Sequence, residues 1–148
     1  MGVVTWDTPS ALTSYFATEI DSLADSTSDT TGFSPVGAEI SNATSKNRYI
    51  ALELVLATQA AARTAGGFVG VYVNYAADGS NYSDTSNKIY GELLTTYSFD
   101  TATNGRRLVR TDIPIPPIDF KLLLLNDTGT QFATGNTLKY ITYNETVA

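Results

Sequence analysis

Leu108-Val109-Arg110-Thr111-Asp112-Ile113-Pro114-Ile115-Pro116-Pro117 decides the fold class. Three prolines in four positions remove backbone donors and push the residues before them to extended conformations, so no helix runs through this stretch. Working outward, Arg107 to Ile113, Asp119 to Asn126 and Asn136 to Tyr143 read as strands, with Asn104-Gly105 and Asn126-Asp127-Thr128-Gly129 as turns. Leu122 to Leu125 is apolar on both faces, which places that strand centrally or packs one side of it on another subunit.

Upstream, Phe68 to Tyr75 alternates with period 2, and Lys88 to Phe99 is its expected partner across the loop Asp78 to Asn87. Arg48 to Thr58 turns Ile50, Leu52, Leu54 and Leu56 to the core, and Tyr49, Ala51, Glu53, Val55 and Ala57 the other way. Val36 to Ile40 reads as a further short strand, followed by a polar turn over Asn42 to Asn47. Seven or eight strands at this spacing, without alternating helices, predict an all-β, antiparallel two-sheet sandwich.

The chain has 148 residues, 43% apolar and 16% charged, which fits one domain that hides roughly 70% of its unfolded surface. Residues 1 to 35 differ from the sandwich expected over 36 to 148 and read as an N-terminal arm or short helix. Thr8-Pro9-Ser10 offers a cap with proline at the first helical position, and Leu12, Tyr15, Phe16, Ile20 and Leu23 would form one apolar stripe. The competing reading, an extended arm or first strand, draws on the Thr, Ser and β-branched content of the same segment.

The net charge is −6, and six acidic residues, from Asp7 to Glu39, precede the first basic one, Lys46. An acidic chain without a basic stripe is repelled by phosphate backbones, so no nucleic-acid partner is expected. No segment is apolar and long enough to span a bilayer, the start of the chain lacks a signal-peptide pattern, and no membrane partner is expected. With no cysteine, disulfides and thiol chemistry are excluded.

The absence of histidine removes the commonest general base and metal ligand at neutral pH. No Ser-x-x-Lys pair has a suitable context, Gly66-Gly67-Phe68-Val69-Gly70 leads into a strand rather than a phosphate-binding helix, and no spacing selects a carboxylate pair. The expectation is a protein that is not an enzyme and has no cofactor. Asp78, Ser80, Asn81 and Asp84 have the oxygen ligands of a weak cation site but read first as turn formers. Four Asn-x-Ser/Thr matches, at Asn42, Asn81, Asn126 and Asn144, are frequent by chance in such a composition. Trp6, Tyr72, Tyr75, Tyr82, Tyr90 and Tyr97 are candidate sugar-stacking rings, most of them more simply core or cross-strand residues. Trp6 stands apart in a polar segment and reads as an anchor docking on its own domain or a neighbour. Arg106, Arg107 and Arg110 form the one basic cluster.

Several stretches together carry a family resemblance: Trp6 with Leu23-Ala24, Tyr49 to Leu54, Tyr72 to Gly79 with Tyr82, Ile113 to Leu122, and Gly135 to Tyr140 through Tyr143-Asn144-Glu145. In these the chain resembles small tailed-bacteriophage virion proteins of the capsid decoration, or cement, type. Ile118 departs from the pattern, which has glycine after the two prolines. The resemblance implies a jelly-roll-like sandwich made in the host cytoplasm. It would bind the major capsid protein on the outer surface of the virion, as a homo-oligomer, a trimer in the family pattern. Partner contacts would come from Trp6, Leu12, Tyr15 and Phe16, with Arg106 and Arg107 meeting an acidic surface. A tail or fibre component, a carbohydrate-binding module and, more remotely, a glycosidase are the alternatives.

Overall fold

The computed structural model describes residues 4–27, 31–82 and 91–147 and has two packed antiparallel sheets, the β-sandwich expected. Among the described residues the strands are β1 (Val4–Trp6), β2 (Thr13–Phe16), β3 (Tyr49–Leu56), β4 (Phe68–Ala76), β5 (Glu92–Ser98), β6 (Arg106–Pro114), β7 (Asp119–Asp127), β8 (Thr137–Tyr143) and β9 (Glu145–Val147). A one-turn helix, α1 (Asn42–Ser45), lies between β2 and β3. One sheet runs β2-β8-β3-β6, the other β5-β4-β7, and β1 with β9 forms a separate ribbon.

The pairing is nested from the outside inwards. β1 pairs with β9, β2 with β8, segment 31–40 with β7 through bridges at Phe33 and Ile40, β3 with β6, and β4 with β5. This succession is the signature of a jelly roll. Ile50, Leu52, Leu54 and Leu56 of β3 share one core with Val69, Val71 and Val73 of β4 and with Leu122 and Leu124 of β7. The period-2 reading of β3 therefore identifies its inner face correctly.

The free edge of β7 is closed without a regular strand. Phe120 and Asn126 donate to the carbonyls of Ile40 and Gly32, but Leu124 N–H donates to Ser34 Oγ at 2.9 Å and Leu122 N–H to the Tyr15 hydroxyl at 2.7 Å. Tyr15 in turn donates to Ala38 O at 2.7 Å. Pro35 prevents a continuous ladder here, and side-chain oxygens take the place of the missing carbonyls. Gly37 is required beneath Tyr15, because a Cβ there would lie 2.2 Å from the ring.

Several expectations are corrected. The helix expected from Leu12 to Leu23 is strand β2 followed by turns, since pairing with β8 outweighs a helix propensity already diluted by Thr13 and Ser14. Thr8-Pro9-Ser10 caps nothing: Ser10 continues the edge, donating its N–H to Thr142 O and accepting from Thr142 N. The expected arm is in large part sandwich, because Phe16 and Ile20 lie in the common core. Val36 to Ile40 is a strand only at the Ile40 bridge, and the turn at Asn42 closes into α1. The start of the strand read from Lys88 lies outside the described residues.

The proline connection is braced rather than loose. Ile115 N–H donates to Arg48 O at 2.9 Å, and the buried Asn42 amide donates to Pro116 O at 2.7 Å. Ile118 does not adopt a positive φ, so its turn needs no glycine. Among the described residues no helix is long and apolar enough to cross a membrane.

If β2 belongs to the sandwich, Phe16→Ala costs about 3–5 kcal/mol and Tyr15→Phe about 1–3 kcal/mol in urea unfolding. A detachable arm would leave both midpoints unchanged.

Candidate functional site

The outer face of the β2-β8-β3-β6 sheet is built from the residues that alternate with the core. Register places Tyr49 opposite Tyr143, Ala51 opposite Ile141, Glu53 opposite Lys139 and Val109, and Val55 opposite Arg107. Ala51 is small, so the sheet sinks there between larger neighbours. The result is an apolar trough with two lobes of about 270 Å3 each, sharing Ala51, Thr111 and Ile141. Trp6, Pro9 and Tyr143 wall one lobe, and Leu12 and Val109 the other.

Trp6, Leu12 and Val109 are 57%, 50% and 52% exposed. Complete burial of such side chains contributes roughly 1.5–3 kcal/mol each, so about half of that remains for a partner. Trp6 is oriented by the ribbon, where it stands opposite Glu145, and its ring meets Tyr49 and Tyr143 edge-on at 5.7 and 5.4 Å. The tyrosines are fixed in turn. Tyr49 donates to Glu145 Oε1 at 2.9 Å, while Tyr143 donates to Asp112 Oδ1 at 2.8 Å and accepts from Asp112 N at 2.7 Å. The bond to the Glu145 carboxylate holds the Tyr49 hydroxyl above its ordinary pKa, and burial followed by the Asp112 carboxylate does the same for Tyr143.

At the opposite end of the face Glu53 is 7% exposed and accepts two bonds on Oε2, from Arg107 Nε at 2.9 Å and Nη2 at 2.6 Å. Arg107 itself is largely exposed. It therefore neutralises a buried carboxylate and presents a cationic rim at once.

The structure brings together Trp6 and Leu12, with Arg107 on the same face. Tyr15 and Phe16 are drawn elsewhere: Phe16 is in the core and Tyr15 holds β7, with burial pushing its hydroxyl pKa up. Arg106 pairs with Asp100 near the β5–β6 connection, away from the trough. Val109, Ala51, Ile141 and Tyr143 were missed by sequence reasoning, although the polar company of Val109 in Arg107-x-Val109-x-Thr111 marks an outward apolar position.

The candidate sugar-stacking rings do not form one platform. Tyr97 is inside, donating to Leu52 O, and Tyr72 packs on Phe33 at 5.5 Å on the other sheet. Tyr75 packs against Phe120, where burial pushes its pKa up to about 12. Tyr82 bonds Glu39 and lies 3.9 Å beneath Lys121 Nζ, and Tyr90 lies outside the described residues. Asp78 uses both carboxylate oxygens within its own turn, accepting from the N–H groups of Ser80 and Asn81 and from the Asn81 amide, which lowers its pKa to about 2. Asp84 lies outside the described residues. Among the described residues no three His, Cys, Asp or Glu side chains gather as a metal site. Asn42 and Asn126 are buried with their amides bonded, which closes two of the four glycosylation matches.

No family model and no curated protein matches the chain. Among solved structures it is similar to the K3 cleaved adhesin domain of Lys-gingipain from Porphyromonas gingivalis w83, at 14% identity and a TM-score of 0.40. That similarity covers 77% of this chain and 62% of the adhesin chain, less than two thirds of its length. The chain is also similar to Desmodium yellow mottle tymovirus, at 10% identity and a TM-score of 0.35, covering 100% of this chain and 89% of that one. The jelly-roll assignment rests on this chain's own strand order.

Arg107→Ala leaves the Glu53 carboxylate without its guanidinium and is expected to cost about 1.5–3 kcal/mol. The double variant with Glu53→Gln should recover most of that loss in a denaturation cycle; equal losses in single and double variants would contradict the coupling.

Proposed function

We propose that this chain is a non-enzymatic bacteriophage structural protein that binds the outer surface of an assembled capsid and stabilises it. The observation that carries the reading is the half-exposed apolar trough on a rigid sheet face, formed by Trp6, Leu12 and Val109 around Ala51. A cement protein needs such a face, because anchors fixed before docking lose little conformational entropy on binding. Binding to the assembled shell alone stabilises it by mass action. The resemblance in Trp6, Tyr49 to Leu54 and Tyr143 to Glu145 supports the same surface, since Trp6, Ala51, Glu53 and Tyr143 among those residues line the trough. Major capsid protein is the partner in this reading, and a trimer at threefold or quasi-threefold positions is the arrangement. A tail or fibre component would use the same face at a lower copy number.

Carbohydrate binding is the second reading. It draws on the exposed Trp6 ring beside the Asp112 carboxylate and the Thr111 hydroxyl, which are themselves bonded at 3.0 Å.

Incubation of the purified chain with capsid-like shells, followed by cryo-electron microscopy and cosedimentation, is expected to give regular density on the outer lattice. Leu12→Ser and Val109→Ser should each weaken cosedimentation about tenfold, equivalent to about 1.4 kcal/mol. Empty shells, or binding that ignores both substitutions, would overturn the reading. Glycan-array binding lost in Trp6→Ala, without shell binding, would favour the carbohydrate alternative.

A further inference from the structure

Asp112 borders the Trp6 lobe of the trough without a counter-charge. Glu53 lies against Arg107 and Glu145 against Arg48, whereas no lysine or arginine among the described residues pairs with Asp112. The backbone sets this carboxylate in place. Between Arg110 and Ile113, which pair with Leu52 and Ile50, β6 carries one extra residue, and within that bulge Asp112 takes a left-handed φ of 58°. Its N–H donates to the Tyr143 hydroxyl, which donates back to Oδ1, and the Thr111 hydroxyl donates to Oδ2 at 3.0 Å. Both oxygens are fixed, and each keeps a lone pair for a further donor. The Tyr143 ring that holds them lies 5.4 Å from the half-exposed Trp6 ring, so indole and carboxylate border the same lobe.

We propose that this lobe binds an arginine side chain presented by the partner protein. The identity of that partner rests on the reading of the trough as the shell-binding surface. Pro9, Ala51 and Ile141 are apolar and match the aliphatic stem of an arginine. At its head, the planar guanidinium has parallel N–H donors for Oδ1 and Oδ2 of Asp112 and a flat face for the Trp6 indole. A lysine ammonium supplies the charge but neither the fork nor the plane. At about 270 Å3 the lobe is smaller than a pocket for a drug-sized ligand and suits one side chain. The net charge of −6 favours approach of a cationic group.

Trp6 is the sole tryptophan, so its fluorescence reports this lobe directly. Titration of the full chain with N-acetylarginine amide at constant ionic strength is expected to give saturable quenching, with a roughly millimolar dissociation constant. The lysine analogue should bind severalfold more weakly, and the neutral citrulline analogue not at all. Asp112→Asn keeps the shape and the tolerance of a left-handed φ, and should weaken arginine binding about tenfold with an unchanged circular-dichroism melt. Glu92→Gln, on the opposite sheet, should change nothing. Quenching that rises linearly without saturation, citrulline binding equal to that of arginine, or undiminished affinity in Asp112→Asn overturns the proposal. The arginine and citrulline comparison needs only the native chain, so it stands even where a variant fails to fold. Saturable arginine binding by a chain with no affinity for shells supports the site and removes the shell reading. Shell binding that neither the arginine analogue nor Asp112→Asn weakens removes the proposal and leaves the shell reading standing.

Discussion

The outward edge of β7 is the constraint on which the rest of the fold depends. That strand carries Leu122 and Leu124 into the core, and its other edge is already paired with β4. Buried backbone groups left without partners cost as much as lost hydrogen bonds, so something must meet them. Segment 31–40 contains Pro35 and cannot run a full ladder. Ser34 and Tyr15 supply the missing acceptors, and Gly32, Gly37 and Ile40 supply the remaining backbone partners. Tyr15 comes from β2 in the opposite sheet, so closing β7 also joins the two sheets.

This requirement explains why the N-terminal segment is structural. Tyr15 reaches β7 only if β2 lies beside β8, and with β2 in place Phe16 falls into the core. The residues left available for a partner are Trp6, on the β1–β9 ribbon, and Leu12, just before β2. A bulge in β2 between Ser14 and Phe16 turns both Tyr15 and Phe16 inward, to cohesion, while Trp6 and Leu12 stay outside for recognition. Opposite them, Arg107 lets the sheet carry Glu53 on a mostly buried site while keeping the rim charged.

Much of the sandwich was legible in the chain. The alternation in Tyr49 to Leu56 and Phe68 to Ala76 and the prolines after Ile113 each have a local physical cause, and the strands appear where those causes place them. The N-terminal stripe was misread because Leu12, Tyr15, Phe16, Ile20 and Leu23 satisfy a helical spacing that does not register the edge of β8 waiting for a partner. The trough was partly legible: Trp6 stood out as a large ring in a polar segment, and Leu12 was among the anchors. Val109 and Ile141 were hidden, because their role depends on lying across Ala51 from residues far away in sequence.

The sequence by itself determined the local preferences: extended backbone around the prolines, the inner face of β3, the turns at Gly105 and Gly129, and a chain without thiol or imidazole chemistry. Those follow from side-chain sterics, period-2 geometry and composition, which act over a few residues. Tertiary structure alone decided the nested pairing, the replacement of a strand by Ser34 and Tyr15, and the division of Tyr15, Phe16, Trp6 and Leu12 between core and surface. Those choices depend on hydrogen-bond partners and apolar neighbours far apart in the chain, such as Tyr15 and Leu122 or Val4 and Val147, and only the folded chain brings such groups together.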